Sequence, residues 1–231
     1  MIESKQNEKI KLINKLKIKK YRDKLGLFLV FGDDLIGIAR EFGLVVEVFS
    51  TVNSENSTLI SKKLMHFINE ETDYHNFAIC KKPLTADTYS DFVLALDHLQ
   101  DPRNLGALFR SAAAFGFTTV LISLDCCDIY HEHVLRASKG ALFYLNVKRA
   151  NLSNELIKLK NNGFQIVSTH QSGTKIVEKQ AKIVLILGNE GNGINQDIIT
   201  MSDLCVAIPT KKVESLNVAV AGSILMYEIS K

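Results

Sequence analysis

Three polar segments in the C-terminal half each follow an apolar run that is typical of a buried strand. They are residues 97–110 (DHLQDPRNLGALFR), 187–194 (LGNEGNGI) and 207–221 (AIPTKKVESLNVAVA). Open sheets of parallel strands bind their ligands beyond the carboxyl ends of the strands. We therefore expect any chemistry of this chain to take place where these three segments meet.

The first segment contains an asparagine and an arginine on one predicted helix. Asn104 stands near the helix start, where exposed N–H groups favour an anionic or polar ligand. Arg110 lies about two turns further along, next to Leu108 and Phe109. An arginine in such an apolar stretch either pairs with a structural acid or binds a phosphate or carboxylate. The sequence leaves both alternatives open.

The second segment is a glycine-rich loop with an acid at its centre. Its spacing matches neither the dinucleotide fingerprint nor a P-loop. The carboxylate of Glu190 would repel a phosphate, so a ligand with hydroxyl or amine donors fits better. In the third segment, Ser215 and Asn217 flank the start of a helix. Ser215 is the expected N-cap, and capping alone does not explain Asn217.

The elements that would position these residues alternate regularly from Asp91 onwards. Strands are predicted at 92–96, 120–123, 143–147, 165–168, 183–187 and 205–208. Helices are predicted at 102–115, 131–137, 152–160, 194–201 and 216–229. Such alternation predicts an α/β fold with a mainly parallel sheet that helices cover on both faces.

The N-terminal part is predicted to be a small α/β unit of its own. Its expected helices are 9–22, about 33–41 and 59–69, and its expected strands are 27–31 and 45–49. The polar, proline-containing segment 81–88 is the predicted linker. The division is therefore a first domain at 1–85 and a second at 90–231.

Composition restricts the class of protein. The chain has 231 residues, of which 46% are hydrophobic and 23% charged, with a net charge of +3. No apolar run reaches the roughly 20 residues of a membrane helix, and no signal-peptide core follows the lysine-rich start. Four cysteines do not make a disulfide framework in a chain of this size. We expect a cytoplasmic protein with reduced thiols and no membrane or DNA partner.

Basic residues crowd the segment 9–22, which suits a polyanionic partner, RNA first. The alternative is a solvated face of a helix that buries Ile10, Ile13 and Leu16. The RNA-binding candidates are Lys15, Lys19, Lys20, Arg22 and, in the first polar segment, Arg103.

A metal site is a further candidate, because several possible ligands lie within residues 126–133. Adjacent cysteines chelate one tetrahedral ion poorly, and the chain has no C-x-x-C pair. We therefore predict no metal.

The three polar segments, in this order and spacing, resemble the three signature motifs of the SpoU family of SPOUT RNA methyltransferases. Residues 136–143 (RASKGALF) are similar to the Ala-Ser-x-Gly-Ala segment that the family has between its first two motifs. The resemblance covers residues 91–229. Residues 21–35 resemble the small ribosomal-protein-like domain of many members, with Phe31 where a glutamate is usual. The loop from Pro209 to Ser215 is one residue shorter than in the family and lacks its glycine.

The resemblance implies a C-terminal trefoil knot, S-adenosylmethionine as cofactor, and a homodimer with its active site at the interface. The residues that match polar active-site positions are Asn104, Arg110, Glu190, Ser215 and Asn217. Those that match cofactor contacts are Gly188, Ile208 and Leu216, to which we add Asn189 and His170. A surface-loop position is the alternative for His170.

The implied reaction is methyl transfer to a ribose 2′-hydroxyl of structured RNA. A ribose hydroxyl is a poor nucleophile, so the enzyme must align it and assist the loss of its proton. Because a guanidinium does not readily give up its proton, we favour Arg110 as a group that binds the phosphate and stabilises the alkoxide. Asn104, Glu190 and Ser215 would orient the reactants.

Two other classes of protein stay open at this point. One is a non-catalytic RNA-binding or ribosome-assembly factor with the same fold, which would not need Glu190 and Asn217. The other is an ordinary nucleotide-binding enzyme, which the missing phosphate-loop fingerprints disfavour. An appended N-terminal domain favours ribosomal over transfer RNA, by analogy only.

Overall fold

The structure, a computed structural model, describes residues 1–70, 73–174 and 181–231, without the side chains of Gln171 and Ser172. It divides into two compact units. The N-terminal unit comprises Met1–Leu84 with Tyr130–Leu135, and the C-terminal unit comprises Thr85–Ile129 with Arg136–Lys231. Tyr130–Leu135 thus joins residues that precede it by at least 45 positions, an arrangement that no local sequence pattern indicates.

The N-terminal unit is a four-stranded sheet with helices. Its helices are α1 (Glu8–Leu16), α2 (Lys19–Leu25), α3 (Asp33–Glu41) and α4 (Lys62–Ile68). Its strands are β1 (Leu27–Phe31), β2 (Val45–Ser50), β3 (Thr58–Leu59) and β4 (Asn76–Lys81), in the order β1-β4-β2-β3. The strand β4 pairs antiparallel with both β1 and β2. Ile10, Ile13 and Leu16 of α1 are buried in the core with Phe49 and Phe77.

Three features of this unit differ from the predictions. The single helix 9–22 is two helices, because Ile18 adopts an extended conformation before α2. Arg22 is buried, and its Nη1 donates to the Leu16 carbonyl at 2.7 Å, which satisfies one of the last carbonyls of α1. Arg22 is therefore withdrawn as an RNA-binding candidate. The central strand β4 was missed because its apolar run is short and ends in the lysines that were assigned to the linker.

The C-terminal unit has one six-stranded sheet in which every pairing is parallel. Its order is β10-β8-β9-β5-β6-β7. The strands are β5 (Phe92–Leu96), β6 (Thr119–Ile122), β7 (Asn146–Arg149), β8 (Gln165–Thr174), β9 (Ile183–Leu187) and β10 (Leu204–Val206). The helices are α5 (Pro102–Ala114), α7 (Leu152–Asn161), α8 (Gln196–Met201) and α9 (Val218–Ser230), while α6 (Glu132–Ser138) crosses the division between units. The predicted α/β fold with a parallel sheet is confirmed.

The strand predicted at 143–147 was wrong in its first half. Residues Ala141–Tyr144 form a 3₁₀ helix that follows Gly140, which has a φ of 81°. Phe143 is buried there as part of the helix, so an apolar run alone could not distinguish the two structures.

Two glycines mark close passes of the backbone in this unit. A Cβ on Gly188 would lie 2.3 Å from the carbonyl carbon of Gly193, and one on Gly173 would lie 2.5 Å from that of Val206. No side chain fits at either position without moving the facing backbone. Among the described residues, no helix is long and apolar enough to cross a membrane.

Candidate active site

Three side chains from the three polar segments form a hydrogen-bonded chain. The amide nitrogen of Asn217 donates to Oδ1 of Asn104 at 3.0 Å, and Nδ2 of Asn104 donates to Oε1 of Glu190 at 2.7 Å. We call Asn104, Glu190 and Asn217 the Asn104 group. Because Asn104 accepts on one side and donates on the other, its amide has one defined orientation.

The start of α5 places Asn104. Asp101 is the N-cap of α5 and accepts from the backbone N–H of Arg103 at 2.7 Å, and Pro102 occupies the first turn. A proline is well suited there because its fixed φ matches the helix and its missing N–H has no partner to lose. Asn104 follows in that first turn, directed at the loop after β9.

The loop that carries Glu190 is closed by its neighbour Asn189. The backbones of Asn189 and Gly193 exchange hydrogen bonds of 2.9 and 3.0 Å. The side-chain oxygen of Asn189 accepts from the N–H groups of Gly191 and Asn192, and its Nδ2 donates to the His98 carbonyl at 2.9 Å. Asn189 thus braces the loop, and Gly188 permits the close pass described above.

Asn217 performs the capping that was expected of Ser215. Its Oδ1 accepts from the backbone N–H groups of Ala219 and Val220, at 2.9 and 3.3 Å, which makes it the N-cap of α9. The prediction for Ser215 as cap was wrong. Ser215 is exposed, and it makes no hydrogen bond to another described residue. The cap leaves Nδ2 of Asn217 available for Asn104.

Arg110 is exposed on α5 and has no acid partner within residues 1–70, 73–174 and 181–231. The pairing of Arg110 with a structural acid, one of the two alternatives that the sequence leaves open, is therefore not found among these residues. Six residues of an α-helix turn through about 600°, so Arg110 and Asn104 project about 120° apart around the axis. The structure does not bring Arg110 into contact with the Asn104 group of the same chain.

Asp97 and His98 lie at the site, although no sequence pattern predicted a role for either residue. Asp97 is only 2% exposed, and its Oδ2 accepts from the N–H of Asn195 at 2.8 Å. Its Oδ1 lies 2.8 Å from Nδ1 of His98, and Asp125 Oδ2 lies 3.2 Å from Nε2. The hydrogen bond to Asp97 is the main cause that raises the pKa of His98. The signal in the sequence that could have identified Asp97 is its position as an acid directly after a buried strand.

The positions of the remaining candidates differ. Ile208 and Leu216 are half-buried beside the loop that follows β10, and His170 is exposed within the long strand β8. Lys15, Lys20 and Arg103 are exposed, whereas Lys19 forms an ion pair of 2.5 Å with Asp23. Within the described residues, no group of three His, Cys, Asp or Glu side chains could hold a metal ion.

The Asn104 group lies at the carboxyl ends of β5 and β9, which is where α/β proteins with a parallel sheet bind their ligands. Residues 91–227 match the model of the SpoU rRNA methylase family, and the chain belongs to that family.

Individual proteins also match the chain over nearly its full length. The chain is 33% identical to the 23S rRNA (guanosine(2553)-2′-O)-methyltransferase RlmP of Bacillus subtilis, over 99% of this chain and 98% of that protein. It is 29% identical to an uncharacterised tRNA/rRNA methyltransferase of Synechocystis, over 98% and 92% of the two chains. Among solved structures, the AdoMet-bound rRNA methyltransferase of Sinorhizobium meliloti is 25% identical, with a TM-score of 0.86 over 99% of this chain and 96% of that chain.

Proposed function

We propose that this protein transfers a methyl group from S-adenosylmethionine to a ribose 2′-hydroxyl of ribosomal RNA. The Asn104 group is the observation that carries the proposal, because it joins all three family motifs through hydrogen bonds. The similarity to the Bacillus subtilis 23S rRNA enzyme over nearly the whole of both chains supports ribosomal RNA as the substrate.

The residues at the sheet edge fit the proposed cofactor. The sulfonium of S-adenosylmethionine supplies an already activated methyl group. Half-buried Ile208 and Leu216 offer apolar contacts, and the loop from Gly188 offers backbone groups beside the carboxylate of Glu190. A carboxylate favours a cationic ligand with hydroxyl and amine donors. These residues, with Asn189 and His170 as further candidates, would hold the cofactor.

Arg110 is the proposed cationic catalytic residue. It binds the phosphate next to the target ribose and stabilises the negative charge that develops on the 2′-oxygen. A fixed guanidinium suits this role better than that of a proton acceptor, since arginine keeps its proton in proteins. The Asn104 group orients the ribose, and Ser215 lies two residues from Asn217, where its hydroxyl can assist.

The active protein is proposed to be a homodimer in which Arg110 of one subunit completes the Asn104 group of the other. Two observations support this. Arg110 and Asn104 project in different directions from α5. In addition, Val220, Ile224 and Tyr227 form an apolar stripe on α9, with 49%, 38% and 49% of each residue exposed. Exposed apolar stripes of this kind mark interaction surfaces.

A trefoil knot in the C-terminal unit is also part of the proposal. The close pass at Gly173 supports it, because it brings the segment at Val206, which is distant in sequence, directly against β8. The N-terminal unit is proposed to bind the RNA substrate. Its exposed Lys15 and Lys20 support that role.

The proposed activity is tested by transfer of a labelled methyl group to ribosomal RNA from a strain that lacks this protein. Label in one nucleotide, resistant to alkaline cleavage, is expected with the wild type and lost with Arg110→Ala. Arg40→Ala on α3, which removes an exposed arginine elsewhere, serves as the matched control and should retain the label. If the protein binds ribosomal RNA tightly but no RNA is labelled, the alternative of a non-catalytic RNA-binding factor replaces the proposal.

The shared active site is tested by mixing subunits. Arg110→Ala and Asn104→Ala should each be inactive alone. After co-expression, about half of the dimers are mixed, each with one complete site, so about a quarter of the wild-type activity should return. If each subunit used its own Arg110, no mixed dimer would have a complete site and no activity would return.

A further inference from the structure

The break between α1 and α2 creates a groove in the N-terminal unit, which we call the α1–α2 cleft. Its lining residues are Glu8, Lys11, Leu12 and Lys15 from one face of α1, and Tyr21, Lys24 and Leu25 from α2. Its volume is about 250 Å³. Pockets for whole small ligands typically measure about 300–1,000 Å³, so the cleft is sized for one flat group such as a base.

The rim of the cleft is positively charged. Lys11 pairs with Glu8 at 2.8 Å, which neutralises the one acid of the lining. Lys15 and Lys24 are exposed, and neither ammonium group forms a hydrogen bond or ion pair with another described residue, although the charge of Lys15 contributes to the lowered pKa of Glu8. Asp23, the nearest acid in sequence to Lys24, is engaged by Lys19 and Lys82 at 2.5 and 2.6 Å. Two ammonium groups are therefore available to an anionic ligand.

The remaining lining is aromatic and apolar. Tyr21 is half-buried, and its side chain has no ring contact or hydrogen bond within the part of the chain that the structure describes. Leu25 beside it is 43% exposed and adds apolar surface to the lining. An aromatic ring between lysines is the combination with which proteins bind single-stranded nucleic acid, since the ring stacks on a base and the lysines follow the backbone.

We propose that the α1–α2 cleft binds one unpaired nucleotide of the RNA substrate, with its base against Tyr21 and its flanking phosphates on Lys15 and Lys24. The identification of the ligand as RNA rests on the proposed function, which this assignment deepens. A fully paired helix does not fit, because its bases are stacked inside and present no free face to the ring. The cleft therefore selects a loop, bulge or strand end near the methylated site.

The test measures binding of the full-length protein to a fluorescent oligouridylate of about ten nucleotides, within the site sizes usual for such proteins. The double variant Lys15→Glu/Lys24→Glu is compared with Lys62→Glu/Lys63→Glu, which makes the same charge change on exposed residues of α4 in the same unit. The first pair should weaken binding about tenfold more than the second. It should also lower the slope of log affinity against log salt by about 1.4, since each phosphate contact on a single strand contributes about 0.7.

The aromatic contact is tested separately. Tyr21→Leu should weaken binding about fivefold or more, whereas Tyr21→Phe, which keeps the ring, should stay within about twofold. A 4-thiouridine in the same oligonucleotide should cross-link to a peptide within residues 8–25. Equal losses in the two lysine pairs, a cross-link only outside these residues, or tighter binding of a matched RNA duplex would each overturn the assignment.

Failure of this inference can be distinguished from failure of the proposed function. If the wild type methylates ribosomal RNA while the Lys15 and Lys24 variant binds and reacts normally, the cleft assignment alone is wrong. If the wild type transfers no methyl group but the cleft variants lose oligonucleotide binding specifically, the cleft assignment holds and the proposed reaction is wrong.

Discussion

The Asn104 group and the α1–α2 cleft are two polar sites that are built in opposite ways. In the first, Asn104, Glu190 and Asn217 hold one another at 2.7 and 3.0 Å. In the second, the ammonium groups of Lys15 and Lys24 form no hydrogen bond or ion pair with a described residue and stand on flexible stems. Methyl transfer needs fixed alignment of the reactants, whereas attraction to a phosphate needs mainly charge. Changes of geometry at constant charge should therefore damage the first site and spare the second.

The largest difference is expected from exchanging arginine and lysine. Arg110→Lys keeps the positive charge but loses the planar pair of donors, so kcat should fall about 100-fold or more. Lys15→Arg keeps the charge at the cleft, so the Kd for the oligouridylate should change less than about twofold. Single-turnover methyl transfer and anisotropy titrations measure the two values. Full turnover by Arg110→Lys at normal RNA affinity would show that Arg110 supplies charge only.

The next effect concerns the backbone that supports the Asn104 group. Gly188→Ala places a Cβ 2.3 Å from the Gly193 backbone, so either the end of β9 or the facing loop must move. We expect a loss of about 1–3 kcal/mol, or more, in the free energy of unfolding. Gly191→Ala is the control in the same loop, because its Cβ would meet only the Asn189 side chain, at an ordinary 3.5 Å. Equal stability of the two variants in urea would contradict the close pass.

A smaller effect should separate the two tasks of Asn217. Asn217→Asp keeps the N-cap oxygen but removes the amide that donates to Asn104. The free energy of unfolding should stay within about 0.5 kcal/mol, since both residues are good caps. The kcat should fall about tenfold, because the Asn104 amide is left to reorient. Asn217→Ser, another good cap without the amide, should behave alike. Normal turnover in both would reduce Asn217 to a structural cap.

The parallel sheet was predictable because its strands are apolar on both faces and are separated by helices of regular length. The runs at 92–96 and 183–187 appear in the structure at the same bounds. The short helices at the N-terminus were less predictable, since 9–22 keeps a helical spacing across the break at Ile18. In the structure the side chain of Arg22 donates to the Leu16 carbonyl across that break, a contact that apolar spacing alone does not indicate.

The three motifs predicted which segments meet, but not how their side chains bond. Asn217 was recognised as more than a cap, yet its capping of α9 and its bond to Asn104 require the position of α5. The same holds for Asp97, whose two oxygens reach His98 and the N-terminus of α8, 98 residues further along the chain. Contacts of such sequence separation are set by the order of strands in the sheet.

The smallest effect should come from His98, whose carbonyl holds Asn189 in the loop of Glu190, and this effect depends on pH. The hydrogen bond to Asp97 raises the pKa of His98 above its ordinary value of 6.5. The stabilisation by protonated His98 is therefore fully present below pH 6.5 and is lost as the pH rises through the higher pKa of the folded state. Its size is modest, since the His98 side chain is 46% exposed and solvent screens the pair.

The measurement is urea denaturation of the wild type and of His98→Gln at several pH values between about 5.5 and 9. The wild type should be the more stable at the acidic end, and the difference should shrink as the pH rises. His98 has a φ of 56°, so part of the difference is backbone strain that does not depend on pH, and only the pH-dependent part reports the imidazole. A difference that does not change with pH would mean that His98 supports the Glu190 loop through its backbone alone, as a rigid part of the site rather than a titrating one.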